Sequence, residues 1–165
     1  MNWKKLDIDI KNFAEKYADS TNESDYTFVE GRLTSYRLTE DTSIFYEIKR
    51  TKPIMEYGSK LRIYSKLNAD IYLTVKSKLI GKPSLNSNIN LSDPLKSQLQ
   101  ALGSEIGSFS WNTQLHHMGW PTNLAHSKTL TFQTRQIDQA VAQLESIREI
   151  HLKLLKEHHQ WLSRK

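Results

Sequence analysis

Apolar residues recur at helical spacing near both ends of the chain. In residues 3–17 they stand three and four positions apart, at Trp3, Leu6, Ile10, Phe13 and Tyr17. Side chains at this spacing share one face of a helix, so the segment is predicted to be amphipathic. A longer stripe of the same kind runs through residues 137–162 and predicts a closing helix of about seven turns.

Between these segments the pattern changes to the alternation of β-strands. β-Branched and aromatic residues alternate with polar ones in four consecutive stretches, residues 26–38, 44–51, 60–67 and 71–80. Because only Asn68-Ala69-Asp70 separates the last two stretches, we expect those two strands to pair as a hairpin. Two further strands are predicted at residues 107–115 and 128–135.

One more helix is predicted between the two groups of strands. It has Pro94 in its first turn, an apolar stripe of leucines and Gly103 at its end. Strands grouped ahead of a terminal helix are typical of an α+β fold, in which helices cover one face of an antiparallel sheet. We expect a single domain over residues 1–165, with about six antiparallel strands in the order α-ββββ-α-ββ-α and the long C-terminal helix packed on one face.

The amino-acid composition limits the compartment and the chemistry. The chain has no cysteine, which excludes disulfides, thiolate metal sites and cysteine nucleophiles. Asp7 and Asp9 interrupt the N-terminal region where a secretory signal needs a continuous apolar stretch. No stretch is long enough and apolar enough for a membrane-spanning helix. We therefore expect a cytoplasmic protein with no membrane partner.

Six histidines raise the question of a metal site, but their spacing argues against one. His151 and His158 are separated by about 10 Å along a helix, too far to bind one ion. His116 and His117 would point to opposite faces of a strand. We therefore predict no metal and no cofactor. Protonation of His151 and His158 at about pH 6 is expected to weaken the packing of the last helix.

Catalytic motifs are missing as well. Residues 103–107 resemble a nucleophile elbow, but Glu105 stands where that motif needs serine. No glycine-rich phosphate loop occurs. Only Asp93 and Glu105 are acidic between residues 83 and 135, so paired carboxylates would have to come from distant strands. The sequence favours a small binding domain over an enzyme.

The leading candidate for a contact surface is the segment Leu115-His116-His117-Met118-Gly119-Trp120-Pro121. The connection it belongs to is long for a hairpin, and tryptophan and methionine are typical anchors at protein interfaces. We expect His117, Met118 and Trp120 to bind a protein partner. The alternative is that Trp120 folds back over the end of the core.

The terminal helix offers two further possibilities. Past Leu155 its stripe would extend beyond the sheet, so that His158, Trp161 and Leu162 contact a second copy and form a homodimer. A curved sheet under this helix would alternatively enclose a cavity for a small apolar ligand. Periodicity alone does not distinguish a filled core from a hollow one.

The charge distribution suggests a nucleic-acid partner instead. Residues 28–82 carry 11 basic and 6 acidic side chains, an excess equal to the net charge of +5 for the whole chain. Alternation places the cations of the third and fourth strands on one face, and a hairpin would set them side by side with tyrosines, suiting phosphates and unpaired bases. The competing interpretation is a solvated face that prevents aggregation. The candidate residues are Lys60, Arg62, Tyr64, Lys66, Lys76 and Lys78, with Tyr72 on the same face and Arg32, Tyr36 and Lys49 flanking them on neighbouring strands.

Overall fold

A computed structural model describes residues 3–17, 24–28, 31–35, 45–49, 60–115 and 126–162. Within these ranges the chain forms helices α1–α4 and strands β1–β8. In chain order they are α1 (Trp3–Tyr17), β1 (Ser24–Phe28), β2 (Gly31–Ser35), β3 (Phe45–Lys49), β4 (Lys60–Lys66), β5 (Tyr72–Lys76), β6 (Ser84–Ser87), α2 (Asp93–Ile106), β7 (Phe109–Leu115), β8 (Lys128–Thr134), α3 (Ile137–Val141) and α4 (Leu144–Leu162).

Six strands form one antiparallel sheet in the order β3-β4-β8-β7-β5-β6. Strands β1 and β2 pair with each other, and β2 lies beside β3. Helix α2 packs on β5 and β6, α3 packs on β4, and α4 contacts α2 and α3. The α+β class, the six-stranded antiparallel sheet and the C-terminal helix are thereby confirmed.

The hydrophobic core lies between this sheet and the helices. Ile63, Phe132, Trp111 and Leu73 are register partners across β4, β8, β7 and β5, and all four are fully buried. The Trp111 and Phe132 rings lie 4.6 Å apart between centroids. Phe109 packs edge-on against Trp111 at 5.4 Å. Large aromatic rings therefore fill the middle of the layer, where their burial contributes most to stability.

The predicted hairpin between β4 and β5 is wrong, because β8 and β7 lie between these strands. The connection from Leu67 to Ile71 crosses three strand spacings, about 14 Å, at one end of the sheet. It is held there by a hydrogen bond from Leu67 N to Lys128 O (3.0 Å) and by an ion pair between Lys128 and Asp70. The hairpin of β7 and β8 carries Trp111 and Phe132, and it occupies the centre of the sheet where these rings are best covered.

Gly103 does not end α2, which continues to Ile106. This glycine is buried, and a Cβ added to it would lie 2.6 Å from Val75 Cγ1 and 3.1 Å from Pro83 Cβ. Its role is therefore a close approach of the helix to β5 rather than a helix stop.

Three other boundaries differ from those predicted. The first predicted strand is a hairpin of two, β1 and β2. Strand β5 ends at Lys76 and is followed by β6, which was not predicted as a strand of the sheet. A short turn at residues 142–143 divides the predicted terminal helix into α3 and α4.

Candidate functional site

The sheet has an inner face against the helices and an outer face on the other side. Cross-strand partners in antiparallel strands point to the same face, so the register assigns each side chain. Arg62, Gln133, Ser110 and Thr74 form one row on the outer face, across β4, β8, β7 and β5. None of these four is fully buried, and all of them are polar or charged.

Neutral hydrogen bonds join the strands in the middle of the outer face. Gln114 Nε2 donates to Thr131 Oγ1 (3.1 Å), and Thr129 Oγ1 donates to the Gln114 carbonyl (3.3 Å). Thr129 and Thr131 are both buried. The outer face is therefore not solvated throughout.

The cations predicted to bind nucleic acid share the outer face but do not lie side by side. The register places Lys60, Arg62, Tyr64 and Lys66 there on β4, and Lys76 there on β5. Strands β8 and β7 separate the two groups by about 14 Å. The physical reason is the insertion of the aromatic hairpin into the centre of the sheet.

These predicted residues differ in their exposure. Lys66, Lys76 and Lys78 are exposed, and Arg62 is half-buried with Glu47 as its cross-strand partner. Lys78 follows β5 and does not belong to the sheet. The side chains of Lys60 and Tyr64 lie outside the described part of the structure.

One end of the sheet collects cations from several strands. Lys49 at the end of β3 is the register partner of Lys60 at the start of β4. Arg135 directly follows Thr134, the partner of Leu61, so it stands next to Lys60 in the register. Lys76 ends β5 at the same end of the sheet. We call Lys49, Lys60, Arg135 and Lys76 the basic end.

A shallow groove of about 800 Å³ lies beside the basic end, along β5, β7 and the end of β8. It contains both Lys76 and Arg135, and none of the residues that line it is an acid. Tyr72, which is 47% exposed, lies in the same groove. Neutral hydrogen-bonding side chains complete the lining, among them Thr74, Ser110, Asn112 and Gln133. The groove can offer two positive charges, hydrogen bonds and an aromatic ring to one ligand.

The connection between β5 and β6, residues 77–83, also starts at the basic end. We call it the β5–β6 loop. Leu79 and Ile80 in this loop are fully exposed, at 106% and 92% of their reference area. Lys78 and Lys82 are exposed as well. This loop was not predicted, because the alternation of β5 was extended to Ile80. The signal of a loop in the sequence is the adjacent pair of large apolar residues followed by Gly81 and Pro83.

The predicted protein-binding residues His117, Met118 and Trp120 lie outside the described residues. Leu115, which ends β7 just before them, is 49% exposed. Of the residues proposed for a homodimer, His158 is half-buried, and the side chains of Trp161 and Leu162 are not among those described. Both contacts stay predictions.

His151 is buried on the inner face with a partner on each ring nitrogen. Trp111 Nε1 donates to His151 Nδ1 (3.0 Å). Because an indole N–H only donates, Nδ1 must be unprotonated, and His151 Nε2–H donates to Ser65 Oγ at 2.9 Å. Burial lowers the pKa of His151 from 6.5 to about 3. The prediction that it is protonated at about pH 6 is therefore wrong for the folded protein.

The other histidine of the stripe behaves similarly but less strongly. Burial lowers the pKa of His158, although the nearby charge of Glu157 acts in the opposite direction. Across the described ranges, no three histidine or acidic side chains are grouped in a way that would hold a metal ion. No helix in those ranges has the length and apolarity to cross a membrane.

Comparison of the chain with protein-family models, curated proteins and solved structures finds no match.

Proposed function

We propose that the protein is a non-enzymatic binding domain that holds a negatively charged partner at its basic end. The observation that carries this proposal is the alignment of Lys49, Lys60, Arg135 and Lys76 at one end of the sheet. Two of them, Lys49 and Lys60, are direct cross-strand partners.

The length of the basic end constrains the partner. From β3 to β5 the strands span four spacings, about 19 Å. A single phosphate or carboxylate reaches only one or two cations over that distance. The arrangement therefore suits an extended polyanion or an anionic surface. Long-range attraction to such a partner would raise the association rate and weaken with salt.

A single-stranded nucleic acid is one partner of this kind. Its phosphates would bind Lys76 and Arg135, and a base would stack on Tyr72 in the groove. Asn112 and Gln133 line the same groove and would supply hydrogen bonds to base edges. An acidic protein is another partner of this kind, and contacts through His117, Met118 and Trp120 would strengthen its binding.

The proposal is tested by measuring the binding of two polyanions, inorganic polyphosphate and a fluorescent single-stranded oligonucleotide. We expect binding at about 50 mM salt that weakens about fiftyfold by 200 mM if four phosphates are neutralised. The triple variant Lys60→Gln/Arg135→Gln/Lys76→Gln is expected to lose most of it.

A matched control removes the same charge from the helical layer. Lys96, Lys153 and Lys156 are exposed on α2 and α4, and the variant Lys96→Gln/Lys153→Gln/Lys156→Gln should bind polyanions like the wild type. Equal loss in both variants would show that only net charge matters. Binding to neither of these polyanions nor to anionic vesicles at low salt would overturn the proposal.

A further inference from the structure

The β5–β6 loop exposes two adjacent large aliphatic side chains at its tip. Leu79 and Ile80 are the most exposed large apolar residues in the described structure. Such residues are usually buried, and contiguous exposed apolar surface is where interaction sites are often found. Gly81 follows them with a φ of +91° and open space around its Cα, so the turn leaves both side chains free of the domain.

The base of the loop is fixed to the domain at both ends. On one side, Ser77 N donates to Ser108 Oγ at 3.1 Å. On the other side, Pro83 is buried and lies where a Cβ on Gly103 would meet it at 3.1 Å. Lys76 and Ser84, the residues on either side of the loop, are register partners on β5 and β6. The tip is therefore presented from an ordered base, so little chain entropy would be lost when it binds.

The surroundings of the tip are positively charged. Lys76, Lys78 and Lys82 are all exposed, and no aspartate or glutamate occurs between Asp70 and Asp93. The loop leaves the sheet at Lys76, so the aliphatic tip stands at the same end as Arg135 and the rest of the basic end. Apolar and cationic groups are thus combined on one side of the molecule.

We propose that the anionic partner is the surface of a lipid bilayer, with Leu79 and Ile80 inserted among the headgroups and the lysines above them in contact with anionic lipids. This inference rests on the proposed function and names its partner. Stable peripheral binding takes two signals, apolar insertion and a basic patch, and this end of the molecule carries both. The cytoplasmic leaflet of a cell membrane carries anionic lipids of the kind that this patch would bind.

A bilayer explains the arrangement better than the other anionic partners. Nucleic acid offers polyanionic backbone but no place for two aliphatic side chains that point away from the sheet. A protein partner would need a pocket shaped to this pair, whereas a bilayer accepts it without shape complementarity. The expectation of no membrane partner rested on the lack of a sufficiently long apolar stretch in the sequence, and binding to a membrane surface does not need such a stretch.

The test is co-sedimentation with vesicles of phosphatidylcholine, with or without about one-third phosphatidylserine. We expect the wild type to bind the anionic vesicles only, and less at high salt. Leu79→Ser/Ile80→Ser should reduce this binding about a hundredfold. Lys78→Gln and Lys82→Gln should each reduce it about fivefold.

The control replaces another exposed apolar residue, Ile8 (56% exposed), which lies on α1. The variant Ile8→Ser should bind vesicles like the wild type. Because the chain has no cysteine, insertion can also be read from a single label. An environment-sensitive fluorophore on Ile80→Cys should brighten on anionic vesicles, whereas one on Ile8→Cys should not.

The outcomes separate this inference from the proposed function. If the Leu79→Ser/Ile80→Ser variant binds vesicles as well as the wild type, the inference is wrong. The same holds if the wild type is retained by the oligonucleotide but not by vesicles, or if it is a dimer that this variant dissociates. If the wild type binds no polyanion and no anionic vesicle, the proposed function itself is wrong.

Discussion

The inner face of the sheet and the region around its basic end differ in where they place polar and apolar side chains. The first buries a polar residue, and the second exposes apolar ones. On the inner face a histidine is fully buried, yet Trp111 and Ser65 satisfy both of its ring nitrogens. Beside the basic end, Leu79 and Ile80 lie in water, and Lys76 and Arg135 are exposed as well. The first region satisfies the hydrogen bonds of its buried histidine within the domain, whereas the second leaves two large aliphatic side chains exposed to solvent. Stability is concentrated in the first, and an external partner would complete the second.

The largest expected effect comes from removing the aromatic centre of the inner face. Trp111→Ala leaves a cavity beside Phe132 and takes away the donor to His151, so it should lower the free energy of unfolding by about 4 kcal/mol. Tyr72→Ala, on the outer face of the neighbouring strand, should cost less than about 1 kcal/mol. Urea denaturation of both variants measures this difference. Comparable losses of unfolding free energy would show that the outer face contributes as much to stability as the inner face.

The buried histidine should make stability depend on pH. Between the unfolded pKa of 6.5 and the folded pKa of about 3, the unfolded chain binds a proton at this residue that the folded chain excludes. The resulting stabilisation is complete above pH 6.5 and is lost as the pH falls towards 3, by up to about 1.4 kcal/mol per unit.

Thermal or urea unfolding at pH 7 and at about pH 4.5 tests this expectation, with a loss of about 2–3 kcal/mol assigned to His151. The variant His151→Gln is the control, because carboxylates and other histidines titrate equally in both proteins. If the wild type and His151→Gln lose the same stability over this range, then His151 also takes up a proton in the folded state and the expectation is wrong.

The smallest expected effect is at the tip of the β5–β6 loop. Because Leu79 and Ile80 contact solvent on all sides, Leu79→Ser/Ile80→Ser should change the free energy of unfolding by less than about 0.5 kcal/mol. The melting temperature of the variant without vesicles provides the measurement. A clear destabilisation would mean that the tip packs on the domain, and the contrast between the two regions would then fail.

The local parts of this fold were predictable from the sequence. The stripe from Trp3 to Tyr17 matches α1, and the strands at Phe109–Leu115 and Lys128–Thr134 lie within the predicted ranges. Alternation also predicted one face for Arg62 and one for Thr74, and the register aligns these two residues in a single row across the sheet.

The order of the strands was not predictable in the same way. Pairing between β4 and β8 joins residues distant in sequence, and the packing of Trp111 on Phe132 at the centre of the sheet is a tertiary contact that local patterns do not encode. The basic end depends on that order, so Arg135 could not be connected with Lys60 from the sequence. Gly103 was predicted as a helix stop because its contact with Val75 is tertiary.

The central position of the β7–β8 hairpin also affects biosynthesis. Strands β3 and β4 can pair early, as can β5 and β6, but nothing joins these two ribbons until Phe109–Thr134 has been translated. Until then both ribbons expose an unpaired backbone edge, the feature most prone to association with other chains. The nascent protein would depend on rapid arrival of its last strands, or on a chaperone, to close the sheet correctly.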